Sequence, residues 1–378
     1  MDGGMKEELA VIFGQLEDPR IDRHKKFPLC EIVFLVLYSA LLGVESWRGI
    51  ELIGHERIDF LKKFFEFSNG IPSHQTIGRV FSILKPKSFE SFFIKWTSII
   101  YGENQGKQIA IDGKTVRGSG DKAKDKEAIH LLNACAVDSG ITLGQMEVGA
   151  KTNEIKLVPE MLDALEIKGA MISVDALNTQ KNIAEKIING GADYTLALKG
   201  NHKILNNKVE NLFLTSKLLT ENRLEDFEKL HGRETHRVYD VLSVDKYILD
   251  ETLDWKGLKA VGMVQTKNLK SEKPAEIRYY LLSYSDVNLF SKSARGHWGV
   301  ESLHWSLDVT FNEDASTKRK DFAPRNYSLI RKFALNIMRP LKGRLSIPLM
   351  KIKAAMKPEY LEKLLTDSGF KKLLAREF

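Results

Sequence analysis

Two short apolar segments that each end in an aspartate constrain this chain more than any other feature. The first is Ile109–Ile111 followed by Asp112, and the second is Met171–Val174 followed by Asp175. Such runs are typical of buried β-strands, and a carboxylate at a strand end lies at the sheet edge, where a ligand has access. Two such carboxylates at the ends of neighbouring strands form an oxygen-rich site that suits a hard divalent cation.

The positive charge of the chain is unevenly distributed. Its 378 residues carry a formal net charge of +7, and residues 318–353 alone hold eleven Lys or Arg residues against one acid, Asp321. This segment favours a polyanionic partner and predicts a path along a DNA backbone, although a solvated helix face would have the same composition. The hydrophobic content of 43% is enough for two or three packed domains.

The remaining composition favours a cytoplasmic protein. Cys30 and Cys135 lie far apart in apolar surroundings, which predicts buried, reduced thiols. The most apolar run, residues 32–44, has thirteen residues, fewer than the ~20 that a membrane span requires. The polar N-terminus does not resemble a signal peptide. We therefore expect a protein of the cytoplasm, associated with the nucleoid and without a membrane partner.

The first hundred residues predict an all-helical region. Apolar residues recur every three or four positions through residues 31–42, 50–67 and 89–100. Between them, Ser73 or Thr76 begins a short polar helix that carries His74, Gln75 and Arg79. That helix is either the DNA-reading helix of a helix-turn-helix or a connecting helix in a bundle, and the pattern leaves both open.

After residue 107 the pattern becomes that of an α/β fold. Strand-like runs occupy residues 108–112, 129–137, 143–148, 171–175 and 193–198, with helical runs at 154–165 and 179–188. Strand–helix–strand alternation predicts parallel pairing with a right-handed crossover, and so a mixed sheet flanked by helices. Asn153 and Glu154 are expected to cap the first of these helices. Residues 200–286 predict a β-rich insertion, and helices are expected at 291–310 and 325–339.

A third acid, Glu301, lies in the predicted helix that follows the insertion. Trp298 and Trp305 share its face through spacings of three and four residues, and are expected to pack rather than to stack on bases. Because an unpaired carboxylate on an inward face is costly, Glu301 either meets a cation or is a partly solvated surface acid. With Asp112 and Asp175 it would complete an Asp–Asp–Glu set for Mg²⁺ or Mn²⁺, a set suited to phosphoryl transfer.

Longer motifs are distributed over nearly the whole chain. They occupy residues 18–20, 45–47, 69–74, 109–119, 151–155, 191–201 and 297–308. These stretches resemble bacterial insertion-sequence DDE transposases, in the subgroup of the H-repeat-associated proteins. The resemblance implies a ribonuclease-H-like core with a β-rich insertion before the last catalytic helix. It also implies that Asp112, Asp175 and Glu301 are the catalytic acids and bind two Mg²⁺ or Mn²⁺ ions.

The same resemblance implies a domain organisation and a reaction. Residues 1–105 would be a helical domain for DNA-end binding or dimerisation, 106–340 the catalytic domain with its insertion at about 200–286, and 341–378 a basic helical tail. The partners would be double-stranded DNA, as element ends and target, and a second copy of the chain in a homodimer on DNA. Water would attack a phosphodiester at the element's end, and the freed 3′-hydroxyl would then attack target DNA.

Basic side chains around the three acids are candidates for phosphate contacts. They are Lys114, Arg117, Lys199, Arg295, His297, Lys318, Arg319 and Lys320. An ordinary surface charge is the alternative for each. His297 and His304 could instead bind a metal, but they stand seven residues apart without a cysteine partner and make a poor zinc site.

One departure from the family pattern bears on activity. Only Ser302 separates Glu301 from Leu303, where the relatives have one residue more. The loss of one residue turns the following helix by about 100° relative to the glutamate. The alternatives to an active transposase are therefore an inactive element remnant that binds DNA without cutting it, and a nuclease of the same fold that lacks strand transfer.

Overall fold

The computed structural model describes residues 13–102, 104, 106–149, 153–215, 222–230, 232–244 and 254–366. Its first part carries the helices α1 (Leu29–Leu41), α2 (Trp47–Glu56), α3 (Ile58–Leu61), α4 (His74–Ile83) and α5 (Pro86–Tyr101). The predicted cap of α4 is confirmed, because the Ser73 side chain accepts a hydrogen bond from the backbone N–H of Thr76.

A mixed sheet of nine strands forms the centre of the described structure. The strands are β1 (Gln108–Thr115), β2 (His130–Ala136), β3 (Ile141–Val148), β4 (Met171–Val174), β5 (Asp193–Leu198), β6 (Arg223–Leu230), β7 (Arg233–Ser243), β8 (Ala260–Asn268) and β9 (Glu276–Leu282). Their order is β3-β2-β1-β4-β5-β9-β8-β7-β6. Strand β4 runs parallel to β1 and β5, and the other neighbouring pairs are antiparallel. The predicted mixed α/β fold is confirmed.

The parallel pairing of β1 with β4 decides where the two aspartates lie. Ile111 pairs with Val174 at the end of the register, so the next residues along the two strands are Asp112 and Asp175. The apolar residues that precede both aspartates are fully buried, as expected for strands covered on both faces. The apolar runs in the sequence therefore deliver the two carboxylates to the same point of the sheet.

Strands β6 to β9 extend the sheet beyond β5, to which β9 is paired. Strands β7, β8 and β9 coincide with alternating runs in the predicted β-rich segment. Strand β6 escapes prediction because five of its eight residues are charged. It lies at the edge of the sheet, where charged side chains tolerate solvent and discourage pairing with another chain.

Further helices flank the sheet and form the C-terminal part. They are α6 (Glu154–Ala164), α7 (Lys181–Asn189), α8 (Lys203–Thr215), α9 (Val287–His297), α10 (Gly299–Trp305), α11 (Ala323–Met338), α12 (Ile347–Met356) and α13 (Pro358–Leu365). Apolar side chains of α11, α12 and α13 share one hydrophobic cluster with those of α1, α4 and α5. Within the described ranges, no helix is both long and apolar enough to cross a membrane.

Much of the predicted basic segment lies inside the protein. Arg331 and Lys332 on α11 are buried, and Arg325 forms ion pairs with Glu90 and Glu147. Helix α11 contacts α1, α4, α5 and β3, so these cations neutralise interior acids. The prediction that residues 318–353 follow a DNA backbone is therefore wrong for α11, because composition alone does not distinguish an outward-facing cation from one paired inside.

Candidate active site

Asp112 and Asp175 lie next to each other where β1 passes the end of β4. Asp112 is half-buried, and so is Asp175. The Asp175 Oδ1 atom accepts hydrogen bonds from both the backbone N–H and the side-chain Nδ2 of Asn178, each at 3.0 Å. The structure thus brings the two predicted aspartates together and holds the second in a defined orientation.

Glu301 approaches the same region from helix α10, which packs against β1. One turn further along α10, the Nδ1 atom of His304 is 3.8 Å from Asp112 Oδ2. Glu301 itself is exposed to solvent. Glu301 therefore lies on a helix that packs against the strand of Asp112, although the protein does not enclose its side chain.

The helix predicted over residues 291–310 is not continuous. Helix α9 ends at His297, Trp298 separates it from α10, and a π-helical turn follows at Ser306–Thr310. Trp298 is 45% exposed and Trp305 is 63% exposed, so neither is a core residue, while Trp298 packs against the Arg278 guanidinium at 4.3 Å. The apolar contacts of α10 are made by other side chains instead, such as the fully buried Leu303.

Burial and neighbouring acids both act on the Asp112 carboxyl group. Burial raises the pKa of Asp112 to about 7, and the negative charges of Asp175, Glu154 and Glu301 act in the same direction. Mutually repelling carboxylates attract a divalent cation, and their oxygen atoms suit Mg²⁺ or Mn²⁺. In the part of the chain that the structure describes, no group of three His, Cys, Asp or Glu side chains is arranged to hold an ion. The residue types fit the metal, while their arrangement is more open than a closed coordination site.

Three residues beside the acids, His130, Glu154 and Asn178, are not among the predicted site residues. The Glu154 Oε1 atom is 2.6 Å from Nε2 of His130, and its Oε2 accepts a hydrogen bond from Asn178 Nδ2 at 2.8 Å. Glu154 lies in one of the recognised motifs, but its position before an apolar run suggested only a helix cap. Asn153 does make that cap, since its side chain accepts a hydrogen bond from the Lys156 N–H.

Two histidines near the acids are uncharged at neutral pH. Burial lowers the pKa of His297 to about 4 and that of His304 to about 4. The Nδ1 atom of His297 is 3.1 Å from the Ser173 hydroxyl on β4. A neutral imidazole offers a phosphate a hydrogen bond but no charge, so a phosphate contact by His297 would be of that weaker kind.

Lys114 is buried and surrounded by acids. Its Nζ atom lies 2.7 Å from Asp308, 3.1 Å from Asp314 and 3.3 Å from Glu313. These pairs join β1 to the segment that follows α10. A phosphate contact by Lys114 would require that some of them open.

The other basic residues predicted to contact phosphate near the acids differ in their exposure and in their ion pairs. Arg117 is 83% exposed and makes a long contact of 3.6 Å with Asp314. Lys199, directly after β5, is exposed. The guanidinium group of Arg295 is 2.7 Å from both Asp226 and Glu228 on β6. Arg117 and Lys199 are thus open to a ligand, whereas Arg295 braces the edge strand.

A groove of about 1070 Å³ lies between α4 and residues 317–320. We call it the α4 groove. Six Lys or Arg residues line it against one acid, Asp121: Arg79, Lys124, Lys126, Lys318, Arg319 and Lys320. Arg79, Lys124 and Lys320 are exposed and have no ion pair among the described residues. The groove therefore carries a concentrated and partly uncommitted positive charge.

Lys318 and Arg319 support the wall of this groove. The Lys318 Nζ atom donates to the Glu45 carbonyl at 2.7 Å and lies 3.8 Å from the centre of the Tyr327 ring. Burial lowers the pKa of Lys318 to about 7. Arg319 donates to the Gly118 carbonyl at 3.1 Å, which ties the groove to the loop after β1.

Comparison with known families decides the classification. Residues 103–337, more than half of the chain, match the family described as "Transposase DDE domain". Residues 10–97 match the family described as "DDE_Tnp_1-associated". The chain belongs to the DDE transposase family.

Relatives of this transposase are similar along almost its full length. YncI of Escherichia coli O157:H7, provisionally named a transposase, is 39% identical over 378 residues, with 97% of each chain covered. YhhI of Escherichia coli K12, provisionally named an H repeat-associated transposase, is 38% identical over 379 residues, with 97% of this chain and 98% of the relative covered. The predicted membership of the H-repeat-associated subgroup is confirmed.

Among the solved structures that are similar to this chain is a transposase complex. It is a piggyBac transposase synaptic complex with hairpin DNA, with a TM-score of 0.44 and 13% sequence identity over 99% of this chain and 78% of the other. At this similarity the comparison supports no functional conclusion.

Proposed function

We propose that this transposase uses Asp112, Asp175 and Glu301 to bind divalent metal ions, to cut DNA at the ends of a mobile element and to join those ends to target DNA. The observation that carries the proposal is the register of β1 and β4, which places Asp112 beside Asp175. Glu301 projects from α10, which packs on the same strand as Asp112. Family membership supports the same chemistry.

The catalytic core that we propose is ribonuclease-H-like and comprises residues 106–340. Its supporting feature is the partial strand order β3-β2-β1-β4-β5, in which β2 runs antiparallel to both neighbours. Strands β6 to β9 follow β5 in the chain and precede the helix of Glu301, where the family resemblance puts a β-rich insertion. Residues 1–105 would serve DNA-end binding or dimerisation, and residues 341–378 would form a basic helical tail.

Mg²⁺ or Mn²⁺ bound by the three acids would neutralise phosphate charge and make water a better nucleophile. Side chains of the protein hold the acids and their supporting segments in position. Asn178 orients Asp175 through two hydrogen bonds. Lys114 ties β1 to Asp308 and Asp314 and so fixes the segment that follows the Glu301 helix. Positioning of this kind is the main contribution that a protein makes to phosphoryl transfer.

The proposed reaction has two phosphoryl-transfer steps. Water attacks a phosphodiester at the element's end, and the bond to the 3′-oxygen breaks to leave a 3′-hydroxyl. That hydroxyl then attacks a phosphodiester in target DNA and displaces another 3′-oxygen. Each step exchanges one bond to phosphorus for another, so neither needs an oxidant or a reductant.

Double-stranded DNA is the partner that we propose for the α4 groove. Its six cations and single acid match a phosphate backbone, and Gln75 and Arg79 on α4 present polar groups to the same space. Arg117 and Lys199 would continue the contact toward the acids. Transposition joins two element ends, so we propose that the active form is a homodimer on DNA.

An inactive element remnant is the second candidate function. Its basis is the single residue between Glu301 and Leu303, one fewer than the family pattern has, because a displaced Glu301 would leave two aspartates that hold a divalent ion weakly. Such a protein would still bind DNA through the α4 groove. A nuclease that cuts without joining is the third possibility, and it shares every residue of the proposed site.

A plasmid assay separates these candidates. The substrate is a supercoiled plasmid that carries the coding region of this chain with its natural flanks, incubated with full-length protein and Mg²⁺ or Mn²⁺. We expect cleavage at the flanks and joining to a second plasmid, both abolished by Asp175→Asn and retained by Glu160→Gln, an exposed acid on α6. Cleavage without joining would indicate a nuclease, and binding without cleavage would indicate a remnant.

A further inference from the structure

A chain of hydrogen-bonded side chains runs beside the three acids and ends on one of them. Thr115 Oγ1 is 2.9 Å from His130 Nδ1, and His130 Nε2 is 2.6 Å from Glu154 Oε1. The other oxygen of Glu154 accepts a hydrogen bond from Asn178 Nδ2 at 2.8 Å, and the same Nδ2 donates to Asp175 Oδ1 at 3.0 Å. The chain joins β1, β2, α6 and the loop after β4.

Glu154 stands close to Asp112 as well as to Asp175. A Cβ atom on Gly113, the residue after Asp112, would be 2.2 Å from Glu154 Oε1, so the glycine leaves the space that this carboxylate occupies. Glu154 and Asp112 are thus held near each other, and the basic group beside them is His130, which forms an ion pair with Glu154 when it is protonated. Burying like charges together is unfavourable unless a positive charge compensates them.

Asn178 connects the two acids and is completely buried. Its Nδ2 atom donates to Glu154 and Asp175, and its Oδ1 atom has no hydrogen-bond partner among the described residues. Capping of α6 does not account for Glu154, because Asn153 makes the cap and the two Glu154 oxygens are used by His130 and Asn178. The hydrogen bonds of the Glu154 carboxylate are therefore directed toward the groups around Asp112 and Asp175, and none of them caps α6.

We propose that Glu154 is a positioning residue of the metal site. Through Asn178 it holds Asp175 in the orientation that binds a cation, and its own charge adds to the attraction at Asp112. The inference rests on the proposed function. Groups that hydrogen-bond to metal ligands set ligand orientation and charge in the same way in other metalloproteins.

Mn²⁺ affinity of the full-length protein, measured by isothermal titration calorimetry, tests this role. Glu154→Gln keeps the size of the side chain and removes its charge, and Asn178→Ala cuts the link to Asp175. We expect each substitution to raise the Kd for Mn²⁺ about tenfold. Glu160→Gln, which removes an exposed charge from the same helix, should leave the Kd within about twofold.

Thermal unfolding of the same variants separates a positioning role from a purely structural one. A lower melting temperature with an unchanged Kd for Glu154→Gln and Asn178→Ala would overturn the inference. If one variant fails to fold, the other still decides. Should Asp175→Asn abolish Mn²⁺ binding while Glu154→Gln does not weaken it, the inference fails and the proposed function stands. If the wild-type chain binds no Mn²⁺ even with duplex DNA present, both fail.

Discussion

Arg331 Nη2 lies 2.6 Å from Glu45 Oε2, and the Arg331 side chain is 1% exposed. The pair joins the buried helix α11 to the residue that precedes α2 by two positions. Arg331 also donates to the Phe311 carbonyl at 2.9 Å, so it connects the Glu301 segment with the N-terminal helices as well. The N- and C-terminal parts of the chain are therefore held together by a buried charge pair.

Removing the acid of this pair should destabilise the fold. Glu45→Gln removes the carboxylate in direct contact with the buried guanidinium and leaves only the more distant charge of Glu313, for which we expect a loss of about 3 kcal/mol in the free energy of unfolding. Urea denaturation followed by circular dichroism measures it. Glu56→Gln, at an exposed position on α2, is the control and should change the free energy of unfolding by less than about 0.5 kcal/mol. Equal effects of the two substitutions would contradict the account.

Gly118 should not tolerate a side chain. A Cβ atom there would be 2.5 Å from the backbone oxygens of both Asp314 and Ser316, which cannot move aside as a flexible side chain can. We expect Gly118→Ala to reduce the free energy of unfolding by about 1–3 kcal/mol. Thermal unfolding of the variant measures this loss. Gly200→Ala is the matched control, because no atom lies within 4 Å of the added Cβ at that position. A stable Gly118→Ala protein would mean that the loop after β1 does not pack on the segment after α10.

Much of this architecture was predictable because it depends on neighbours in sequence. The apolar runs before Asp112 and Asp175 indicated two strands, and the strand–helix–strand pattern indicated their parallel pairing. The parallel register was enough to bring the aspartates together, although β1 continues past Asp112 to Thr115 and does not end at the aspartate as predicted. The cap at Ser73 depends on a local hydrogen bond and was predicted for the same reason.

Other features depend on contacts between distant segments, which periodicity does not contain. Glu154 reaches Asn178 across 24 positions, and Arg331 reaches Glu45 across 286 positions. The cations of α11 have the composition of a DNA-binding surface, but they form ion pairs with acids from distant segments of the chain. The break at Trp298 lies between Gly296 and Gly299, two weak helix formers, where an added Cβ atom would contact Gln108 or Val137 from distant segments.

Acid should destabilise the fold partly through His297. Its pKa is about 4 in the folded protein and near 6.5 when unfolded, so between these values the unfolded chain binds more protons. The free energy of unfolding should therefore fall as pH decreases from 6.5 to 4, by at most about 3 kcal/mol from this group. In His297→Gln that contribution should be missing when urea unfolding is repeated across this pH range. Parallel pH curves for the two proteins would contradict the buried, neutral imidazole.

Binding of duplex DNA should depend on salt through the exposed cations of the α4 groove. Each phosphate contact contributes about 0.9 to the slope of log K against log salt. Changing Arg79, Lys124 and Lys320 together to Ala should therefore reduce that slope by about 2.7 in fluorescence-anisotropy titrations. Lys168→Ala, which removes an exposed cation before β4, should leave the slope unchanged. An unaltered slope in the triple variant would mean that DNA does not bind in the α4 groove.

Convergence of the three acids on one metal site is the central claim, and calorimetric titration with Mn²⁺ tests it most directly. The full-length protein is compared with Asp112→Ala, Asp175→Ala and Glu301→Ala, with and without duplex DNA. We predict that each substitution weakens Mn²⁺ binding at least about tenfold, because each removes a ligand of the same site. Loss of binding in the two aspartate variants alone would exclude Glu301 and indicate an inactive remnant. Wild-type affinity in all three variants would contradict the claim.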